Sequence, residues 1–261
     1  ESWRSILSLW GVNIDPGLAR GQPLVSQIGK YIPGNVAHLF GRLVIGRRDG
    51  VAGGTLAASM VLEVAITLAV GLTVAGLLLL LLPETLPDLG TGYPDLGTGL
   101  VPVSIAVFVV IGISGGAVLV RSRLRRLGVS RPSVPELTRP LAYHLASFCI
   151  LGVSLWATAI AVAPLTAPGI VPCTLVFAFA WAAGFVVPGA PGGIGVRDSL
   201  IVLGLAVSVG EGTGLAIALL HRAVSVFGDL VTFGLGWYIR RPSEGGCPRN
   251  EPKPSVWADL S

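Results

Sequence analysis

Apolar residues in this chain are gathered into long stretches, separated by connections rich in Gly, Pro and charged residues. Residues 1–10 are apolar and Trp-bearing but too short to span a bilayer, so they read as the tail of a helix, and Asn13 to Gly21 reads as a polar turn. The stretch from Gln22 to Ile45 is moderately apolar, carries Lys30, His38 and Arg42, and is broken by Pro33-Gly34, so no single span fits it. An apolar run from Val51 to Leu82 follows; as one helix it would be about 48 Å long, more than a ~30 Å hydrocarbon core needs, so tilt is expected. Beyond a loop holding the tandem heptapeptides 87–93 and 94–100, clean spans are predicted at Val101–Val120, with Gly112 and Gly116 at close-approach spacing, and at Leu141–Ala163. Ile170–Val187 is apolar but runs into a Pro/Gly-rich segment that cannot be regular helix, and Ser199–Val209 is too short to cross alone. Leu215–Ile239 gives the last full span. It ends in Trp237-Tyr238 and Arg240-Arg241, an aromatic and basic interface anchor.

Composition turns this pattern into a fold class. Charged residues make up 12% of the chain, against roughly a quarter in soluble domains, and apolar residues 52%, with mean hydropathy +0.77. An ordinary cytosolic globule and a disordered chain are both excluded. The expectation is an all-α, polytopic integral membrane bundle over residues 1–241, with about four full spans, followed by a polar, Pro-rich, disordered cytoplasmic tail at 242–261. The chain opens on Glu1 and its one methionine is Met60, which suggests a processed product or a fragment lacking one or two upstream helices; no signal peptide is visible.

The net charge of +4 is mostly topology signal, so nucleic acid is not an expected partner. Six arginines (121, 123, 125, 126, 131 and 139) face Glu136 in the 121–140 connection, whereas the 83–100 loop holds Glu84, Asp88 and Asp95 without Lys or Arg. The positive-inside rule puts the first in the cytoplasm and the second outside, with Arg47-Arg48 and the C-terminus inside. For that parity to hold, 170–209 must enter and leave on the same side or else cross twice. Its short second half favours a re-entrant hairpin entered from outside, and 22–46 becomes a hairpin entered from the cytoplasm. Two interrupted segments of opposite orientation, inverted-repeat-like, point to a transport site near the midplane.

Ionisable groups inside apolar segments are functional candidates because they are costly there. The set is Lys30, His38, Arg42, Glu63, Arg197, Asp198, His221, Arg222 and Asp229. Arg197-Asp198 follow a Gly-rich loop and open a half-helix, so backbone N–H groups and a guanidinium aim together, an arrangement suited to a lipid phosphate; a neutralised Arg197–Asp198 pair is the alternative. Arg222 and Asp229 share a helix face, either as a structural ion pair or with Arg222 on the substrate. Glu63 reads as a counter-ion to one of these arginines, or as a protonated carrier. His38, His144 and His221 have no metal-ligand spacing and read as satisfied or interfacial, and Cys149, Cys173 and Cys247 as packing residues. Gly192, Gly193 and Gly195 follow no strand, so they are not a dinucleotide fingerprint, and no P-loop, nucleophile elbow or H-E-x-x-H motif is present.

Two motifs carry a resemblance. Ser26-Gln-Ile-Gly-Lys-Tyr-Ile-Pro-Gly-Asn35 with Gly41-Arg42, and Pro188-Gly-Ala-Pro-Gly-Gly-Ile-Gly-Val-Arg-Asp198 with His221-Arg222, are similar to the lysylphosphatidylglycerol synthetase transmembrane family, a flippase-like membrane domain, over about residues 1–240. The resemblance implies a plasma-membrane protein that moves an anionic or modified phospholipid, or a lipid-linked head group, between leaflets. Asp198 stands where the family commonly has Glu, and the soluble aminoacyl-transfer domain is lacking, so lysyl-lipid synthesis is not expected. The implied substrate-binding set is Lys30, Tyr31, Pro33, Gly34, Arg42, Glu63, Gly192, Gly193, Gly195, Arg197, Asp198 and Arg222. In it Arg197, with Lys30 or Arg42, holds the phosphate, while Asp198 and Glu63 balance charge or meet a cationic head group. No catalytic residue, metal or cofactor is expected; the partners expected are membrane lipids, with a second copy or a partner synthase as further candidates. The alternatives are a membrane-embedded enzyme or accessory subunit of a lipid or lipid-linked sugar pathway, or a purely structural partner of a synthase.

Overall fold

Asp15 and Pro16 open the second helix of the chain, at Pro16–Ser26. The Asp15 carboxylate accepts hydrogen bonds from the Gly17 N–H (2.8 Å) and the Leu18 N–H (3.1 Å), and Pro16, which has no N–H to leave unpaired, sits at the first helical position. The polar turn expected at Asn13 to Gly21 is thereby corrected: its second half is helix. The computed structural model describes residues 2–32, 37–81, 134–187 and 191–240, and among them every regular element is helical. These are α1 (Ser2–Ser8), α2 (Pro16–Ser26), α3 (Ala37–Arg48), α4 (Gly53–Leu81), α5 (Val134–Val162), α6 (Ile170–Val186), α7 (Val196–Val209) and α8 (Glu211–Ile239). Single 3₁₀ turns follow α2 (Gln27–Tyr31) and precede α7 (Pro191–Gly193). The span expected at 101–120, the 83–100 loop, the arginines at 121–131, Pro33, Gly34 and the 242–261 tail lie outside the described residues.

Three helices contain stretches long and apolar enough to cross a membrane: Gly53–Gly76 in α4, Thr138–Val162 in α5 and Glu211–Ile239 in α8. Only 22%, 28% and 22% of their most apolar windows is buried within the chain, so their apolar residues mostly face outward. On α8 the outward face carries Val224, Phe227, Leu230, Val231 and Leu235, a stripe that water would not tolerate but lipid does. Trp237 and Tyr238 at its end are also exposed, as an interface anchor requires.

Helix α6 lies at the centre, packed on α4, α5 and α7. Its 17 residues are apolar on all sides, and Cys173, Phe177, Ala178, Ala180 and Ala182 are fully enclosed. Lipid is as apolar as these side chains, so cohesion here comes from close packing, which the small residues of α6 permit. Cys173 packs as expected, while Cys149 on α5 is exposed.

The second cluster of buried side chains joins Trp3 and Leu7 of α1, Ala19 of α2, and Leu56 and Met60 of α4. Helix α2 is secured from its other side by α8. A methyl group on Gly236 would stand 2.6 Å from Leu24 Cβ and 3.0 Å from the Val25 nitrogen, and one on Gly21 would collide with the Arg240 side chain. The two backbones therefore touch through a glycine from each, an approach no larger residue would allow.

Candidate functional site

The two helix breaks foreseen in the sequence come together. The first lies after the 3₁₀ turn Gln27–Tyr31, where Ile32 is already extended; α3 then folds back against that turn and against α2. The second separates α6 from α7. Val187 is extended, and Gly192, Gly193 and Gly195 take φ of 57°, 73° and 84°, left-handed backbone that side chains with a Cβ adopt only at a cost. This explains the Gly-Gly-Ile-Gly run without reference to any nucleotide. The breaks abut: a methyl on Gly192 would lie 3.5 Å from the Tyr31 ring and 3.6 Å from the Lys30 carbonyl oxygen.

Charged side chains from both breaks converge on α8. Lys30 Nζ donates to Asp229 Oδ1 at 2.8 Å and lies equally close to Oδ2, to which the Tyr31 hydroxyl donates at 2.5 Å. One guanidinium nitrogen of Arg222 reaches the Gly192 carbonyl oxygen (3.3 Å) and Asp198 Oδ1 (3.4 Å), while the Gly195 N–H donates to Asp198 Oδ2 (3.2 Å). Asp198 thus closes the first turn of α7 and anchors the second break to α8. Each break meets α8 well inside its length. Arg222 is eleven residues past Glu211, and Asp229 ten before Ile239, so each contact lies about 15–16 Å from its end of a helix about 43 Å long.

Arg197 is the residue left over. Its Cβ rests on α6 where Gly184 leaves space, a methyl there falling 3.1 Å away, and its Nε is buried with no hydrogen-bond partner among the described residues. Arg222, Asp198, Tyr31 and Asp229 are all near enough to act on its charge. Arg222 Nη2 and His221 Nε2 are likewise buried without partners. Among the described residues the centre therefore sets three cations, Lys30, Arg197 and Arg222, against two carboxylates, Asp198 and Asp229, with one positive charge in excess. An uncompensated guanidinium in a poorly solvated site calls for an anion, and its planar donors suit a phosphate or carboxylate.

Several pairings differ from those the sequence suggested. Arg222 and Asp229 share a face but do not pair with each other, because each is drawn to a different break. The Arg197–Asp198 pair does not form either, since Asp198 turns to Arg222 and to its own helix start. His221 is not satisfied: only 1% exposed, it packs edge-on to Phe177 with Nε2 unpartnered. His144 is satisfied, by the Ser2 and Thr67 hydroxyls.

Glu63 is a counter-ion, but to Arg42 and not to the arginines of the centre, at 2.5 Å. Arg42 lies under the Trp3 indole, its guanidinium carbon 3.5 Å from the ring centroid, and Trp3 Nε1 donates to Gln22 Oε1 (3.0 Å). Gln22 Nε2 donates in turn to Asp49 (2.7 Å), which accepts two further bonds from Arg240 (3.0 Å each). Lys30, Tyr31, Gly192, Gly193, Gly195, Arg197, Asp198 and Arg222 thus form one centre, and Arg42 and Glu63 belong to a second network.

The sequence reading omitted Asp229 from the binding set, although its place inside an apolar span was the signal, and it gave no part to Trp3, Gln22 or Asp49. Among the described residues no three His, Cys, Asp or Glu side chains gather as a metal site. The chain matches no protein-family model, no curated protein and no solved structure.

Proposed function

We propose that this chain is an integral membrane lipid translocase, in which the head group of an anionic or modified phospholipid crosses through the polar centre while its acyl tails stay in the bilayer. The observation that carries this reading is the excess positive charge at the meeting of the two breaks, with Arg197 unpaired inside a bundle whose outer face is apolar. A phosphodiester there would take up the free donors of Arg197 and Arg222, and Lys30 would exchange Asp229 for it.

In this reading α2–α3 and α6–α7 are re-entrant hairpins entered from opposite leaflets. Support comes from the attachments along α8: the Gly21 region of α2 and Asp49 just after α3 both lie at its C-terminal end, while α7 packs near its N-terminal end through Val202 and Gly214. The distribution of Arg and Lys favours a cytoplasmic C-terminus, and the resemblance noted above suggests the plasma membrane as the location. The likeness of the two Pro/Gly motifs to the lysylphosphatidylglycerol synthetase transmembrane family supports the same activity, because these motifs supply the breaks. The test is exchange of fluorescent phosphatidylglycerol between leaflets of vesicles holding the purified chain, compared with fluorescent phosphatidylcholine. Acceleration confined to the anionic lipid supports the reading; no acceleration of either lipid refutes it.

A further inference from the structure

Arg42 is only 6% exposed, yet it uses one of its three guanidinium nitrogens. Nη1 is bound by Glu63 and the flat face is covered by Trp3, so the group is fixed in position and orientation. Nε and Nη2, which lie side by side and form one of the two bidentate edges of a guanidinium, are buried with no partner among the described residues. Leaving two charged donors unpaired in a low-dielectric site is costly, and the stacked, bridged geometry holds them unpaired.

A third unpartnered group faces the same region. His38 stands one turn earlier on α3, its Nδ1 is buried without a partner, and it is close enough to Arg42, Glu63 and Lys30 to feel their charges. Helical side chains lean toward the N-terminus, so Arg42 reaches back over the turn that carries His38.

We propose that Arg42, stacked under the Trp3 ring, and His38, one turn earlier, form a second oxyanion site, separate from the Arg197 centre, that takes a singly charged phosphodiester. Glu63 cancels the formal charge of Arg42, and Asp229 that of Lys30 beside His38, so attraction comes from the desolvated donors, which suits one negative charge better than two. The phosphodiester has two sources, a lipid head group or a free ester, and in the lipid case the site would be a station on the route to the centre. The site itself does not rest on the translocation reading; only its lipid source does.

The test follows the Arg42 Nε–H resonance in protein carrying ¹⁵N-labelled arginine, the resonance being assigned by its loss in Arg42→Lys. That variant keeps a cation for Glu63 and removes the fork. One arm titrates dimethyl phosphate into protein in neutral detergent; the other compares nanodiscs of phosphatidylglycerol with nanodiscs of phosphatidylcholine. A saturable downfield shift in either arm, retained in Arg197→Ala and weakened in His38→Ala, is the expected result. A shift in the lipid arm identifies the head group as the source, and a shift with dimethyl phosphate alone identifies a free ester. No shift in either arm, or a shift that disappears in Arg197→Ala, overturns the proposal. Leaflet exchange is scored separately, so the site can stand where translocation fails, and the reverse.

Discussion

Replacing Asp229 by Asn tests the contact that ties the first break to α8. The substitution keeps shape and removes the charge, and the amide has a single oxygen to offer in place of the two that accept from Lys30 Nζ and the Tyr31 hydroxyl. Breaking a fully buried ion pair by removing one partner costs about 3–5 kcal/mol. Here the side chains of Lys30 and Asp229 are 26% and 17% exposed, so solvent recovers part of that, and a loss of about 2 kcal/mol is expected. Equilibrium unfolding in mixed detergent micelles measures it. Lys30→Met alone leaves Asp229 with only the Tyr31 bond and should cost about 1–2 kcal/mol, while the double variant removes both charges together. The two losses should then fall short of additivity by about 1 kcal/mol or more, the signature of a direct contact. Additivity to within about 0.5 kcal/mol would refute the pairing, and with it the argument that the first break is held by α8.

Further outcomes follow from other contacts. Gly236→Ala should destabilise by about 1–3 kcal/mol in the same unfolding assay, because the backbone of α2 stands where the methyl must go. Trp3→Ala should cost about 3–5 kcal/mol, since a fully enclosed indole, its bond to Gln22 and its cover over Arg42 are lost together. Gly192→Ala should cost about 1–2 kcal/mol through its left-handed backbone and should also slow leaflet exchange, because the loop presses on Tyr31.

The long elements were legible because hydrophobic length is a strong signal. Helix α4, expected over Val51–Leu82, runs Gly53–Leu81, and the last span, expected from Leu215, begins four residues earlier at Glu211. The second break was legible through Gly192, Gly193 and Gly195, whose left-handed backbone marks where helix cannot continue; Pro33-Gly34 lies outside the described residues. Helix α2 was missed: Asn13 to Gly21 read locally as a polar turn, and the helix is held by contact with α8, which no local pattern reports. The ion pairs were the least legible part. Asp229 lies seven residues from Arg222 on one face, yet its partner is Lys30, 199 residues away in the chain. Facial periodicity gives the direction in which a charge points, not which of several charges awaits it there. Arg42 and Glu63 were both singled out as candidate charges, but their separation from the centre depends on how α3 and α4 pack on α1.

The central claim is that Arg197 supplies the unpaired charge for a lipid anion. It makes no hydrogen bond among the described residues, so Arg197→Ala should fold to the same yield, unlike Asp229→Asn. The most direct measurement is therefore the rate of leaflet exchange of fluorescent phosphatidylglycerol in vesicles holding equal amounts of folded wild type or Arg197→Ala. The account predicts accelerated exchange with the wild type and loss of that acceleration in the variant. Equal exchange by the two proteins, with Arg222→Ala alone abolishing it, would contradict the assignment of the anion to Arg197.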